Sequence, residues 1–113
     1  MANSTSTLSS AVEGSTYIIK VSFYDSAGDA LIPSSITWSL YNSSRRIINS
    51  RTAVSIAVPA AENNIVLGTA DLTISDSSDK LRIMKINAVY DSTTYGNNLP
   101  LKAAVKFTID EVV

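Results

Sequence analysis

Residues 81–91 read LRIMKINAVYD and residues 101–109 read LKAAVKFTI, and in both stretches apolar and polar side chains alternate. A period of two is the signature of a β-strand with one buried side and one solvent-facing side. The sequence therefore predicts two long strands here, joined by a loop over residues 92–100. The buried side of the first strand is assigned to Met84, Ile86, Ala88 and Tyr90.

The same alternation recurs upstream in shorter stretches. Residues 17–24 and 36–41 each place apolar or aromatic side chains at every second position, with Trp38 in the second of them. Further short strands are expected at residues 46–51, 54–58 and 65–67. Short strands separated by turns, about seven in all, are typical of an all-β antiparallel β-sandwich. Phe23, Trp38, Ile86 and Phe107 share the apolar phase of their strands, so we predict that they meet in one core.

The length of 113 residues fits one domain. Residues 1–14 are rich in serine and threonine and lack periodicity, which predicts a flexible N-terminal arm. Residues 15–113 are then the sandwich domain. Folding in a cytoplasm is expected, because the N-terminus lacks the charged and apolar regions of a secretory signal.

The composition argues against catalysis. The sequence contains no histidine and no cysteine, the commonest general base and the commonest soft metal ligands. We therefore predict a protein that is not an enzyme and has no catalytic, metal or cofactor site. The aspartates of residues 25–29 and 76–79 are spaced like Ca²⁺ ligands, but solvated turns are the preferred interpretation.

Charge and hydropathy restrict the partners. Nine basic and ten acidic residues give a net charge of −1, and the single basic cluster is too thin to follow a phosphate backbone. No apolar run approaches the length of a membrane-spanning helix. Neither nucleic acid nor membrane is expected as a partner.

Candidate interaction residues lie in three places. Tyr95 and Asn97 form the tip of the final hairpin, where a rigid aromatic beside glycine and asparagine resembles an antibody paratope; an ordinary polar loop is the alternative interpretation. Arg46 and Arg51 lie on the stretch from Arg46 to Val58, and Arg45 directly precedes it. This stretch is the expected sheet edge, whose free backbone groups could pair with another chain. The arm contributes Leu8 and Val12 as apolar anchors.

Several segments resemble small immunoglobulin-like β-sandwich proteins encoded among the virion structural genes of tailed bacteriophages. The resemblance spans about residues 15–110 and rests mainly on core alternation and turns. The segments are TWSL at 37–40, IINSR at 47–51, VYDS at 89–92, LPL at 99–101 and FTI at 107–109.

The resemblance implies an immunoglobulin-like fold and a non-enzymatic structural role in a phage particle, as a capsid decoration protein or a head–tail or tail accessory protein. Its partners would be other virion proteins of the capsid, portal or tail, with a homo-oligomer in the particle as a further expectation. Its final location would be the virion. The alternative is an adhesion or glycan-binding module on a virion or a cell-surface appendage.

Overall fold

The computed structural model describes residues 4–7, 9–25, 27–74 and 80–111, and of residues 4–7 only the backbone. Among these residues it is nearly all-β, as the alternation predicts, with a single turn of 3-10 helix at Thr69–Asp71. The strands are β1 (Ser4–Thr7), β2 (Ala11–Val12), β3 (Tyr17–Ser22), β4 (Ser35–Asn42), β5 (Val54–Ser55), β6 (Glu62–Leu67), β7 (Leu81–Ser92) and β8 (Gly96–Asp110).

The described strands form two sheets. The larger has the order β1-β8-β7-β4-β5, with β2 also paired to β8, and the smaller is the antiparallel pair β3-β6. β4, β5, β7 and β8 pair antiparallel, whereas β1 and β2 run parallel to β8. The prediction of a purely antiparallel architecture is therefore wrong, because the N-terminal segment joins the sheet in the same direction as the last strand.

One hydrophobic core joins the two sheets. Phe23, Trp38, Ile86 and Phe107 all belong to one buried cluster, which confirms the core predicted from their phase. Trp38 is 5% exposed and the Tyr17 ring lies 4.7 Å from the Phe107 ring, measured between centroids. The alternating face of the larger sheet is thus buried against the smaller one.

One predicted loop and one predicted strand differ from the observed structure. β7 and β8 continue to Ser92 and Gly96, so the predicted loop over residues 92–100 shrinks to residues 93–95. The predicted strand at residues 46–51 is irregular: the backbone has positive φ at Asn49 and Ser50, and Leu40 bonds to Ile48 and Arg51 through isolated hydrogen bonds. The loop prediction was too long because the polar side chains at these strand ends lack an apolar alternation. The strand prediction was wrong because the left-handed backbone at Asn49 and Ser50 interrupts regular pairing.

The N-terminal segment is more structured than its composition suggests. Within residues 1–14, Ser4–Thr7 pairs with β8 from Ala103 to Lys106, and Ala11 is buried in the core. The Tyr17 hydroxyl donates to the Ser9 carbonyl, and the Ser10 hydroxyl donates to Asp110 at 2.7 Å. The packed domain therefore begins before residue 15.

We expect Trp38→Ala to lower the free energy of unfolding by about 3–5 kcal/mol, because it leaves a large cavity between the sheets. Denaturant titration measures the change, and Tyr24→Ala is the control, since Tyr24 is half exposed. A loss below about 1 kcal/mol for Trp38→Ala would show that the tryptophan is not a core residue.

Candidate functional site

Three chain connections meet at one end of the molecule, which we call the loop end. They are residues 23–34 between β3 and β4, residues 56–61 between β5 and β6, and residues 93–95 between β7 and β8. Antiparallel pairing of β3 with β6, of β4 with β5 and of β4 with β7 places them together. The strands of the two sheets hold the ends of these loops in place.

The β7–β8 turn is held by side chains. The Ser92 hydroxyl accepts the backbone N–H groups of Thr94 and Tyr95, both at 3.1 Å, and an Asp91 carboxylate oxygen accepts the Asn98 N–H at 2.9 Å. Asn98 has a φ of 57° and Gly96 a φ of 110°. The tip is therefore a preorganised turn that presents Tyr95, which is 73% exposed.

The neighbouring turn, in which Asp25 bonds to Ala27 and Asp29, is fixed in the same way. One Asp25 carboxylate oxygen accepts the N–H groups of Ala27 and Asp29, both at 2.9 Å. Gly28 has a φ of 89°, a left-handed conformation that glycine adopts at little steric cost. This carboxylate closes its own turn, the role expected of a solvated turn aspartate.

A shallow open depression of about 770 Å³ separates the two turns. Its walls combine aromatic, aliphatic, hydroxyl and carboxylate groups, which include Leu31, Tyr90, Asp91, Tyr95 and Leu99. No group of three or more acidic, histidine or cysteine side chains suited to a metal ion occurs in the part of the chain that the structure describes. The depression is suited to contact with a surface or a small polar ligand.

The structure separates the predicted interaction residues. Tyr95 and Asn97 are exposed at the loop end, whereas Arg45 and Arg46 are exposed at the opposite end, in the turn after β4. Val12 is half exposed beside Asp110. Leu8 lies outside the described residues, as do Asp76 and Asp79.

Arg51 is engaged within the chain. Its Nε and Nη2 donate to the two carboxylate oxygens of Asp71 at 2.9 and 3.1 Å, and its guanidinium carbon lies 5.5 Å from the Trp38 ring centroid. The Arg51 side chain is 34% exposed and that of Asp71 is 1% exposed. Arg51 therefore holds the 43–53 loop against the core. Of the three arginines predicted to contact a partner, Arg45 and Arg46 are the ones that remain exposed.

Asp71 is the centre of a buried polar cluster that the sequence analysis missed. Asn49 and the Gly68 backbone N–H also donate to its carboxylate, at 3.0 and 2.9 Å. Burial raises the pKa of Asp71, but the hydrogen bonds from Arg51, Asn49 and Gly68 outweigh burial and hold that pKa below its usual range. The bond to Asp71 in turn raises the pKa of Arg51.

Arg82 completes the cluster from the larger sheet. It is fully buried, and its Nε donates to the Asp71 carbonyl at 3.3 Å and its Nη2 to the Thr73 carbonyl at 2.9 Å. The sequence contained a signal for it, since Arg82 is in phase with the inward Met84 and Ile86. A charged residue at an inward position requires partners, and here the 68–74 segment supplies them.

Comparisons with protein-family models, with curated proteins and with solved structures found no match. Within the described residues, no helix is long and apolar enough to cross a membrane.

We expect Asp71→Asn to lower the free energy of unfolding at pH 7 by about 2–3 kcal/mol, less than for a fully buried pair because Arg51 is partly solvated. The folded-state pKa of Asp71 is lowered, so its contribution is complete above the unfolded-state pKa. That contribution is lost as the pH falls through the folded-state pKa. The difference between wild type and variant should therefore shrink in acid.

Denaturant titration at pH 7 and at about pH 3 measures this difference. Asp29→Asn, at an exposed turn position, is the control and should change little. A gap between wild type and Asp71→Asn that stays constant across the pH range would contradict the ion pair.

Proposed function

We propose that the chain is an immunoglobulin-like β-sandwich. Support comes from the division of its strands: β8, β7, β4 and β5 are neighbours in one sheet, and β3 and β6 form the other. The same division separates strands G, F, C and C′ from strands B and E in immunoglobulin variable-type domains. In those domains the connections equivalent to residues 23–34 and 93–95 lie at one end, as they do here.

We further propose that the protein is a non-enzymatic structural protein of a bacteriophage particle that acts by protein–protein docking. The observation that supports docking best is the loop end, where two turns fixed by side-chain hydrogen bonds flank a depression and display Tyr95. A tyrosine on a fixed turn supplies contact area at a small cost in conformational entropy, because its side chain has only two rotatable angles. The assignment to a phage particle rests on the resemblance of the sequence to that class of virion protein.

The side-chain chemistry of the loop end supports contact rather than turnover. Asp25 and Asp91, the carboxylates of the depression, each accept backbone N–H groups of their own turns. The sequence offers no histidine or cysteine to act beside them. The partner in this proposal is another virion protein of the capsid, portal or tail, in agreement with a role as a decoration or head–tail accessory protein.

A glycan-binding role is the second candidate. The observation that favours it is the presence of two tyrosines, Tyr90 and Tyr95, in a depression that also contains Asp25 and Asp91. Aromatic faces beside carboxylates can stack on and hydrogen-bond to a sugar. Competition by soluble host-surface glycans would separate this role from protein docking.

We expect Tyr95→Ala to weaken binding to particles at least about tenfold, because an aromatic residue of this type dominates interfaces. The particles are produced from the encoding genome with this reading frame deleted, and binding is measured by cosedimentation of added protein. Val66→Ala, an exposed position on the outer face of β6, is the matched control and should bind as wild type does. Equal binding of Tyr95→Ala and wild type would rule out the loop end as the docking surface.

A further inference from the structure

The outward face of the larger sheet contains a cluster of lysines. Lys85 on β7 lies opposite Ala104 on β8, and Lys102 and Lys106 lie two residues to either side of Ala104. Cross-strand partners share a face, so all three lysines project from the same side, and all three are exposed. We call this set, Lys85, Lys102 and Lys106 around Ala104, the lysine face.

These lysines differ from the other described lysines in their charge environment. Lys20 lies 3.5 Å from Glu62 and Lys80 lies 3.1 Å from Glu111. The lysine face has no ion pair within the described part of the chain, and Lys85 instead lies 5.2 Å from the Tyr41 ring centroid. Among the described residues, no acidic side chain therefore neutralises its positive charge.

The described neighbours of the lysine face on β4 and β7 carry no charge. The positions paired directly with the lysines are Ser39, Ile83 and Asn87, and Thr37 and Tyr41 flank Ser39 on β4. Diagonal neighbours across two strands lie about 7–8 Å apart, so three like charges are held close together. Such an arrangement lowers stability slightly in the isolated protein and gains from a negatively charged partner.

We propose that the lysine face binds an acidic surface of a partner protein. The inference deepens the docking proposal by naming the chemistry of the partner, and it rests on that proposal. The half-buried Tyr41 and Ile83 favour a protein over a nucleic acid, because they offer apolar contact area between the charges. Asp91 and Asp110 lie toward the two ends of the face and would repel a long polyanion that extends past it.

The test uses the full chain and a fluorescent oligoglutamate peptide, with binding followed by anisotropy at low ionic strength. Lys102→Gln/Lys106→Gln removes two charges from the lysine face. Lys20→Gln/Lys80→Gln is the matched control, since it removes the same charge from lysines that already have acidic partners. Thermal melts check that both variants are folded.

We expect roughly fivefold weaker peptide binding for Lys102→Gln/Lys106→Gln and little change for the control, with the wild-type affinity falling as salt is added. Equal losses in the two variants would overturn the proposal, because net charge alone would then explain binding. Failure of the wild type to bind the peptide would overturn it as well. Tighter binding of a short DNA duplex than of the peptide would also overturn it, in favour of a nucleic-acid surface.

Particle binding separates this proposal from the docking proposal. If wild type binds particles that lack this chain and both double variants bind them equally well, the docking proposal stands and the proposal for the lysine face is overturned. If wild type fails to bind particles, the docking proposal fails, and selective loss of peptide binding by Lys102→Gln/Lys106→Gln still supports the acidic chemistry of the partner. Selective loss of particle binding by that variant supports both proposals.

Discussion

Burial of one alternating face of β4, β7 and β8 beneath the β3–β6 pair is the constraint on which the rest of the structure depends. Because the side-chain period of a strand is two, a shift of one residue would expose Trp38 and Phe107 and bury lysines. The register is therefore fixed by the core, and the register in turn fixes both faces of the sheet. It places the 23–34 and 93–95 connections at one end and gathers the lysine face on the outer side.

The opposite end is held by polar groups in addition to apolar packing, in which Leu72 is fully buried. Asp71 receives hydrogen bonds from the 43–53 loop, and Arg82 reaches the 68–74 segment from the larger sheet. A buried carboxylate without these donors would be costly, so the loop and the segment must adopt their conformations together. The irregular backbone near Asn49 and Ser50, where φ is positive, is the local consequence.

Alternation predicted β3, β4, β7 and most of β8, together with the membership of Trp38 and Phe107 in one core, because each of these strands buries one face. It could not predict β1 and β2, since Ser4–Thr7 pairs through its backbone and has no apolar period. It also could not predict the Asp71 cluster, whose members are distant in sequence and meet only after folding. Of the candidate interaction residues, Tyr95 and Asn97 are exposed at a supported tip, while Arg51 turned out to have an internal partner.

In the proposed function, a β framework displays a tyrosine-bearing loop end and a lysine face to other proteins of a phage particle. The chain would then be a structural component of that particle. Quantitative mass spectrometry of particles purified from the encoding phage tests this claim most directly. We predict that the chain copurifies at a fixed ratio to the major capsid or tail proteins through successive gradients; its absence from such particles would contradict the account.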